Sequence, residues 1–422
     1  MPGFVRSWGK IIAAIFAVLV VLAIWYLWPV YGFFSHRGAA PLGPFGWSTL
    51  PSATAPVTHE TLNPRYDAAG EEAARRLEAW RAQIGAPALS AAIAVDGEIV
   101  WRGAAGWRDL GREIAATPAT RFRIGSTSKA VTATALARQV QRGELDLDAP
   151  LAGYFRDLPN PAWAEITARQ LASHMAGLPH YGDNGDTAGL VETMTMRTHY
   201  GDVRDALNVF DGSELLYAPG TDFEYSSLGT VLLGAAMSEA SGRSYRELIA
   251  AEVIEPADAQ STLVAPRSST GEMAHFYLRR DERYRVWRPV DLSHRLPGGG
   301  WASTPSDLVR IGSLWLDDDF ISPETREAFW TPQSLSSGET NEQDYALGWR
   351  WREYEIEGVG IARYANHGGV SRGSQSWLLV FPDYEMSIAF NTNMNTDEFA
   401  EFGMFYREMV QVFAPVAGLE EG

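Results

Sequence analysis

The longest uniformly apolar stretch of the chain lies near its amino terminus. Residues 11–28 carry no charged side chain, whereas Arg6 and Lys10 come just before them. At about 1.5 Å per helical residue, a run of this length can cross the hydrocarbon core of a bilayer. The bias of positive charge toward the cytoplasmic side then predicts a transmembrane anchor over residues 11–34, with residues 1–10 in the cytoplasm.

A cleaved signal peptide is the alternative for this segment. Its apolar core is long for a signal peptide, and no small-x-small cleavage site follows it. We therefore expect an uncleaved, single-pass anchor in a bacterial-type inner membrane, with the rest of the chain periplasmic. Residues 35–66 contain several prolines among Gly, Ala, Ser and Thr. This composition predicts a linker that tethers the body of the protein to the membrane.

Beyond the linker the pattern changes between helical and strand periods. Residues 68–84 have one apolar helical face, and residues 127–142 have helical spacing as well. Residues 88–95 and 98–105 predict two strands joined by a tight turn at Asp96-Gly97.

The carboxy-terminal part of the chain returns to strand patterns. Strands are predicted over residues 347–356, 360–365, 374–381 and 387–391, followed by a helix over residues 397–414.

These elements predict an α/β (α+β) fold with an antiparallel sheet built from both chain ends and flanked by helices. Residues 130–290 have few strand signals and predict an inserted, mainly helical subdomain. The body would cover residues 67–415, and residues 416–422 would form a short tail.

The composition of the chain argues against several classes of function. The net charge is −17, so nucleic acid is not an expected partner. The chain has no cysteine, and its 8 histidines lack His-x-His or His-Glu-x-x-His spacing, so we expect neither a metal nor another cofactor. Lys10 and Lys129 are the only two lysines, and every other basic residue is arginine.

Ser126 and Lys129 stand three residues apart at the start of a predicted helix. This spacing puts both side chains on one helical face. Lysine can remove the proton of a serine hydroxyl if its pKa is lowered, whereas arginine stays protonated. The alternative is a chance pairing, but the scarcity of lysine favours a nucleophile and its base.

Tyr225, Ser226 and Ser227 form a second candidate element before a predicted helix. A tyrosine hydroxyl near Lys129 could pass a proton between nucleophile and leaving group, and Ser227 could bind the lysine or the substrate. Taken alone, these residues are more typical of a helix cap.

His367-Gly368-Gly369 forms a third element, directly before the predicted strand 374–381. The glycines would let a ligand approach the backbone, and the N–H groups of Val370 and Ser126 could form an oxyanion hole. A glycine-rich turn with a surface histidine is the alternative.

The order and spacing of these three elements resemble those of the serine β-lactamase and penicillin-binding-protein superfamily. The likeness is closest to the class C-like branch and, within it, to the mitochondrial serine β-lactamase-like proteins and their bacterial relatives. It extends over residues 66–415 and includes three further segments, at residues 122–125, 171–179 and 297–308.

The resemblance implies an acyl-enzyme on Ser126, with Lys129 and Tyr225 as the base pair and His367 assisting Tyr225. The substrate-binding residues that it implies are Ser126, Ser227, Gly368, Gly369 and Val370.

Two departures from the family pattern bear on the substrate. Tyr-Ser-Ser replaces the commoner Tyr-x-Asn, and His-Gly-Gly replaces Lys-Thr-Gly. Both remove groups that would bind a β-lactam, so we expect a peptidase or esterase that acts on a small-molecule or peptide substrate. Arg372 is a candidate to replace the missing cation.

Homo-oligomerisation is expected by analogy alone. The competing hypothesis for function is a catalytically inactive binding or scaffold protein at the membrane.

Overall fold

A computed structural model describes residues 2–36, 40–52 and 54–418. Its helices are α1 Pro2–His36, α2 Asp67–Gln83, α3 Ser128–Gln141, α4 Ala168–Ala172, α5 Thr187–Thr195, α6 Ser227–Ser241, α7 Tyr245–Ile249, α8 Leu296–Gly299, α9 Pro305–Ser313, α10 Pro323–Trp330, α11 Phe399–Gly403 and α12 Phe405–Ala417. Its strands are β1 Trp47–Ser48, β2 Val57–Thr61, β3 Ala88–Val95, β4 Glu98–Asp109, β5 Ile114–Ala115, β6 Phe122–Arg123, β7 Leu263–Val264, β8 Tyr277–Arg280, β9 Arg283–Val286, β10 Trp301–Ser303, β11 Arg350–Ile356, β12 Gly360–Ser371, β13 Ser374–Phe381 and β14 Met386–Thr392.

The main sheet is antiparallel and joins the two ends of the chain. Its strand order is β11-β12-β13-β14-β3-β4-β2, and β5 pairs with the far end of β4. β14 and β3 meet at its centre, where Ile388 lies opposite Ile93. The predicted sheet made from both chain ends is confirmed.

Side chains alternate between the two faces of this sheet. On β3, Ala92 and Ala94 belong to the core that includes α3, α6 and α9. Ile93 and Val95 belong to the opposite core, beneath α2 and α12. The helices α3 and α6 lie in the first of these layers.

Two elements of secondary structure have bounds that differ from the prediction. The strand predicted over residues 360–365 extends to Ser371, so His367, Gly368 and Gly369 lie within β12 and do not form a turn. The final helix, predicted over residues 397–414, is two helices, α11 and α12, that meet at Met404.

The linker predicted over residues 35–66 is wrong for its last part. Residues 57–61 form β2, which pairs with β4 at the edge of the main sheet. The following turn buries Tyr66, which is 2% exposed. Composition missed this strand because it is short, lies at an edge and presents mainly polar side chains to solvent.

The first part of the linker also contacts the body, since Trp47 and Ser48 pair with β9. Residues 37–39 and 53 of this linker, Met1, and residues 419–422 of the predicted tail lie outside the described residues. Val416 and Ala417, also assigned to the tail, belong to α12.

Candidate active site

Ser126 lies in a short 3-10 turn, Gly125–Thr127, that leads directly into α3. Gly125 has a φ of +52°. A Cβ at this position would lie 2.5 Å from the carbonyl oxygen of Val370, so glycine is required where β12 passes the turn. The half-buried Ser126 lines a cleft of about 1030 Å³.

Lys129 is 2% exposed and stands one helical turn beyond the serine. Its Nζ lies 3.4 Å from Ser126 Oγ. The same atom donates to Ser227 Oγ at 2.9 Å and to the carbonyl oxygen of Gly298 at 3.0 Å. It also lies 4.7 Å from the centre of the Tyr225 ring. The structure therefore brings together the lysine and the two serines predicted for the site.

The surroundings of Lys129 favour its neutral form. Burial is the main reason why its pKa falls from 10.5 to about 7. Tyr181 opposes this fall, whereas the nearby guanidinium groups of Arg350 and Arg295 add to it. A substantial fraction of the amine is therefore unprotonated at neutral pH and can accept a proton.

Tyr225 is held by the loop that precedes α6, where Ser226 forms the N-cap of the helix. Burial raises the pKa of the Tyr225 phenol, and Arg350 and hydrogen bonds with Ser126 and Ser227 oppose this rise. The phenol is therefore protonated at neutral pH and lies in contact with the hydroxyls of both serines.

The backbone of β12 lies against the turn that carries Ser126. A Cβ at Gly369 would lie 2.0 Å from the carbonyl oxygen of Ile124, so no side chain fits there. Strand pairing with β11 ends at Asn366, which leaves the following part of β12 open to the cleft on that side. Val370 lines the cleft and is 54% exposed.

Gly368 lies on the same stretch and also lines the cleft. A Cβ there would come within 2.6 Å of the Phe399 ring.

His367 is fully buried, so the interpretation of a surface histidine is wrong. Its Nε2 lies 2.8 Å from the Tyr345 hydroxyl, and its Nδ1 lies 2.8 Å from the carbonyl oxygen of Gly368. The Nδ1–H tautomer satisfies both bonds. Burial holds the His367 pKa well below its usual value, with Arg350 and Lys129 acting in the same direction.

The ring centre of His367 is 6.4 Å from that of Tyr225. Both of its nitrogens bond elsewhere, so His367 has no hydrogen bond to Tyr225, and the direct assistance expected from the sequence is not seen.

An aromatic wall lies behind Tyr225, and Tyr345 is the member of it that sequence reasoning missed. His174 packs between Tyr225 and Tyr345, with ring centres 4.3 and 4.5 Å away. The Nδ1 of His174 accepts from the N–H of Ser226, and that of His180 accepts from the N–H of Ser227. The segment 171–179 was noted for its resemblance, but no local pattern distinguishes Tyr345.

Of the cations in the cleft, Arg372 was a candidate from the sequence, whereas Arg295 and Arg350 were missed. Arg295 and Arg350 line the cleft beside Lys129. Arg372 lines it too, and its guanidinium lies over the Phe33 ring at 5.4 Å. In the described parts of the chain, no group of three or more His, Asp or Glu is placed to hold a metal ion.

The fold and these contacts define a class, the serine hydrolases in which a helix presents a serine and, one turn later, a lysine. The sequence model of the Beta-lactamase family matches residues 73–411. The chain therefore belongs to the Beta-lactamase family, and it is an enzyme of the serine hydrolase type.

Characterised relatives support this assignment. The human serine beta-lactamase-like protein LACTB, mitochondrial, is 26% identical over 383 residues, which covers 71% of this chain and 70% of the relative. Penicillin-binding protein 4* of Bacillus subtilis strain 168 is 26% identical over 318 residues, covering 71% of this chain and 67% of the relative.

Solved structures agree on the fold. The D-amino acid amidase from Ochrobactrum anthropi SV3 superposes with a TM-score of 0.68 at 19% identity, covering 83% of this chain and 99% of that one. The octameric penicillin-binding protein homologue from Pyrococcus abyssi gives a TM-score of 0.64 at 21% identity, covering 81% and 76%. At these identities the likeness concerns the fold alone.

Proposed function

We propose that the protein is a membrane-anchored hydrolase that forms an acyl-enzyme on Ser126 and acts as a peptidase or esterase. The observation that carries this proposal is the buried amine of Lys129. It lies 3.4 Å from Ser126 Oγ, and its pKa is lowered to about 7. Burying a lysine in this way is unfavourable for folding, and its chemical use is to accept a proton at neutral pH.

In the acylation step, the neutral Lys129 amine accepts the Ser126 proton while Oγ attacks the substrate carbonyl carbon. The N–H groups of Ser126 and Val370 stabilise the oxyanion. Tyr225, protonated at neutral pH, donates a proton to the leaving group, and its phenolate regains one from the Lys129 ammonium. His367 holds the β12 edge and packs against Tyr225 without exchanging protons.

Deacylation uses the same groups in reverse. A water molecule replaces the leaving group and attacks the acyl carbon; its proton passes to the Tyr225 oxygen as the Tyr225 proton passes to the neutral Lys129 amine. The Lys129 ammonium then protonates Ser126 Oγ, which leaves as the restored hydroxyl. The net reaction adds one water across an ester or amide bond.

The choice of peptidase or esterase over β-lactamase comes from the departures in the motifs. Ser227 stands where the family commonly has an asparagine amide, and it accepts a hydrogen bond from Lys129. His367 is buried and neutral, so it supplies no fixed positive charge to a substrate carboxylate. Arg295 and Arg350 line the cleft and lower the Lys129 pKa, so they are better candidates for that charge than Arg372, which lies over the Phe33 ring.

Membrane anchoring rests on the apolar helix over residues 8–35, which is long and apolar enough to cross a bilayer. Its flanking charges support an inner-membrane topology with the amino terminus in the cytoplasm and the hydrolase domain outside. Self-association remains an analogy, supported by the octameric homologue from Pyrococcus abyssi.

Turnover of p-nitrophenyl acetate by the full-length protein in detergent tests this function. Ser126→Ala should abolish turnover, whereas Ser128→Ala, which removes a neighbouring hydroxyl that is not bonded to Lys129, should retain it. Failure of the native protein to hydrolyse this ester or a panel of amides would favour the inactive scaffold. Equal turnover by Ser126→Ala would refute the assigned nucleophile.

A further inference from the structure

The apolar helix α1 has two parts with different surroundings. Its side chains are exposed from Trp8 through Trp28, as expected for a segment that faces lipid. From Pro29 onward the burial is mixed: Pro29 and Ser35 are buried, Val30 and Phe33 are partly buried, and Tyr31 and Phe34 are 41% and 42% exposed. The end of the membrane helix is therefore docked on the hydrolase domain.

The docked part of α1 forms a wall of the active-site cleft. Phe33 and Phe34 line the same cleft as Ser126. α1 also packs against α5, which contributes Leu190 and Met194 to the lining beside these two rings.

The cleft has further apolar lining on the β12–β13 and α11 side. Val370 and Trp377 come from the two strands, and Met404 comes from the junction of α11 and α12. Val370 and Met404 are 54% and 38% exposed, although both are apolar. The volume of about 1030 Å³ is at the upper end of ligand pockets, which are roughly 300–1,000 Å³.

The length of α1 sets the height of the cleft above the membrane. A hydrocarbon core of about 30 Å takes about 20 helical residues. The contact of Arg197 with Trp25 sets the outer boundary of that core near Trp25. Phe33 and Phe34 then lie about two helical turns beyond the hydrocarbon boundary. The mouth of the cleft is therefore at the level of the lipid headgroups.

Arginines surround the docked end of α1 in a chain whose net charge is −17. Arg197 donates to the carbonyl oxygen of Trp25, and Arg280 donates to that of Ser35. Arg372 lies over Phe33. Guanidinium groups at this level can pair with the phosphates of lipid headgroups. Among the described residues that line the cleft itself, none is Asp or Glu.

We propose that the substrate is an amphiphile taken from the bilayer, an ester or amide whose acyl part is a long hydrocarbon chain held by Phe33 and Phe34. This inference rests on the proposed function. The bond between the acyl carbon and the leaving oxygen or nitrogen breaks, a Ser126 Oγ–acyl bond forms, and the leaving group departs with a proton. The chain would lie between α1 and β12, with its carbonyl at Ser126.

The test compares two esters with the full-length protein in phosphatidylcholine vesicles, p-nitrophenyl acetate and p-nitrophenyl decanoate. We expect kcat/KM for the decanoate to exceed that for the acetate by at least about tenfold, because each added methylene gains burial in an apolar site. Replacing both rings, Phe33→Ala with Phe34→Ala, should lower this ratio about fivefold or more. Phe16→Ala, which changes a lipid-facing side chain of the same helix, should not alter the ratio.

The ratio separates the inference from the function on which it rests. A ratio near one in the native protein, or a ratio undiminished in the double variant, would overturn the amphiphile proposal while Ser126-dependent acetate turnover upheld the hydrolase. If neither ester were hydrolysed, both proposals would fail. Because the ratio compares two substrates on one preparation, partial loss of folded protein does not change it.

Discussion

Replacing Lys129 by methionine is expected to stabilise the folded protein at neutral pH while abolishing turnover. Methionine keeps the length and apolar character of the side chain but removes the buried amine. In the folded protein the pKa of Lys129 is about 7, against 10.5 as its ordinary value. This difference corresponds to about 5 kcal/mol of folding free energy, which is lost in full below pH 7 and regained as pH rises toward 10.5.

The sign of the change in stability with pH depends on whether the folded or the unfolded chain binds more protons. Between pH 7 and 10.5 the unfolded lysine is protonated and the folded one is mostly neutral, so the native protein gains stability as pH rises. Below pH 7 both states are protonated and the destabilisation is at its full size. Against this, methionine loses the bonds to Ser227 and Gly298, each worth about 1 kcal/mol. The net gain at pH 7 is therefore about 3 kcal/mol.

The assay is urea unfolding of the full-length protein in nonionic detergent, followed by tryptophan fluorescence from pH 6 to 9. The advantage of Lys129→Met should shrink by about 1.4 kcal/mol per pH unit above pH 7. Ser126→Ala keeps the amine and should show the native pH dependence. A methionine variant that is less stable than the native protein at pH 7, or an advantage that does not change with pH, would refute a depressed lysine pKa.

Three further predictions concern turnover and packing. Ester hydrolysis should rise with pH through an apparent pKa of about 7, because only the neutral Lys129 amine accepts the serine proton; a rate unchanged between pH 6 and 8 would contradict this. Gly369→Ala should lower the free energy of unfolding by about 1–3 kcal/mol and reduce turnover more than tenfold, because the new Cβ would meet the Ile124 backbone. Gly153→Ala, where the added Cβ would point into open space, should change neither quantity. Tyr345→Phe removes the donor to His367 Nε2 and should lower the free energy of unfolding by about 1–3 kcal/mol. The acid limb of the profile of turnover against pH should not move. A shifted limb would give His367 a proton-transfer role.

Local sequence signals were sufficient for much of the fold. The Asp96-Gly97 turn between two alternating strands predicted the β3–β4 hairpin with its first strand at the observed bounds. The Ser126–Lys129 spacing predicted side chains that meet, because the geometry of one helical turn depends on no distant contact. A single sheet built from both chain ends followed from counting early and late strands, but the pairing of β3 with β14 was not predicted.

Other features depend on contacts between distant segments and leave no local pattern. β2 is an edge strand whose partner lies about 40 residues further along the chain, and its mainly polar side chains resemble those of a linker. Tyr345 and Arg350 reach the site only because β11 begins beside β12. The contact of α1 with α5 was hidden for the same reason, since a long apolar helix has the same sequence pattern whether or not its end contacts protein.

The central claim is that the buried amine of Lys129 activates the Ser126 hydroxyl. Mass spectrometry of the intact, membrane-reconstituted protein after treatment with a fluorophosphonate, followed by mapping of the adduct, tests it most directly. We predict one adduct on Ser126 in the native protein and a rate of labelling at least about a hundredfold lower in Lys129→Arg, because guanidinium keeps its proton. An adduct on another serine, or equal labelling of the arginine variant, would contradict the claim.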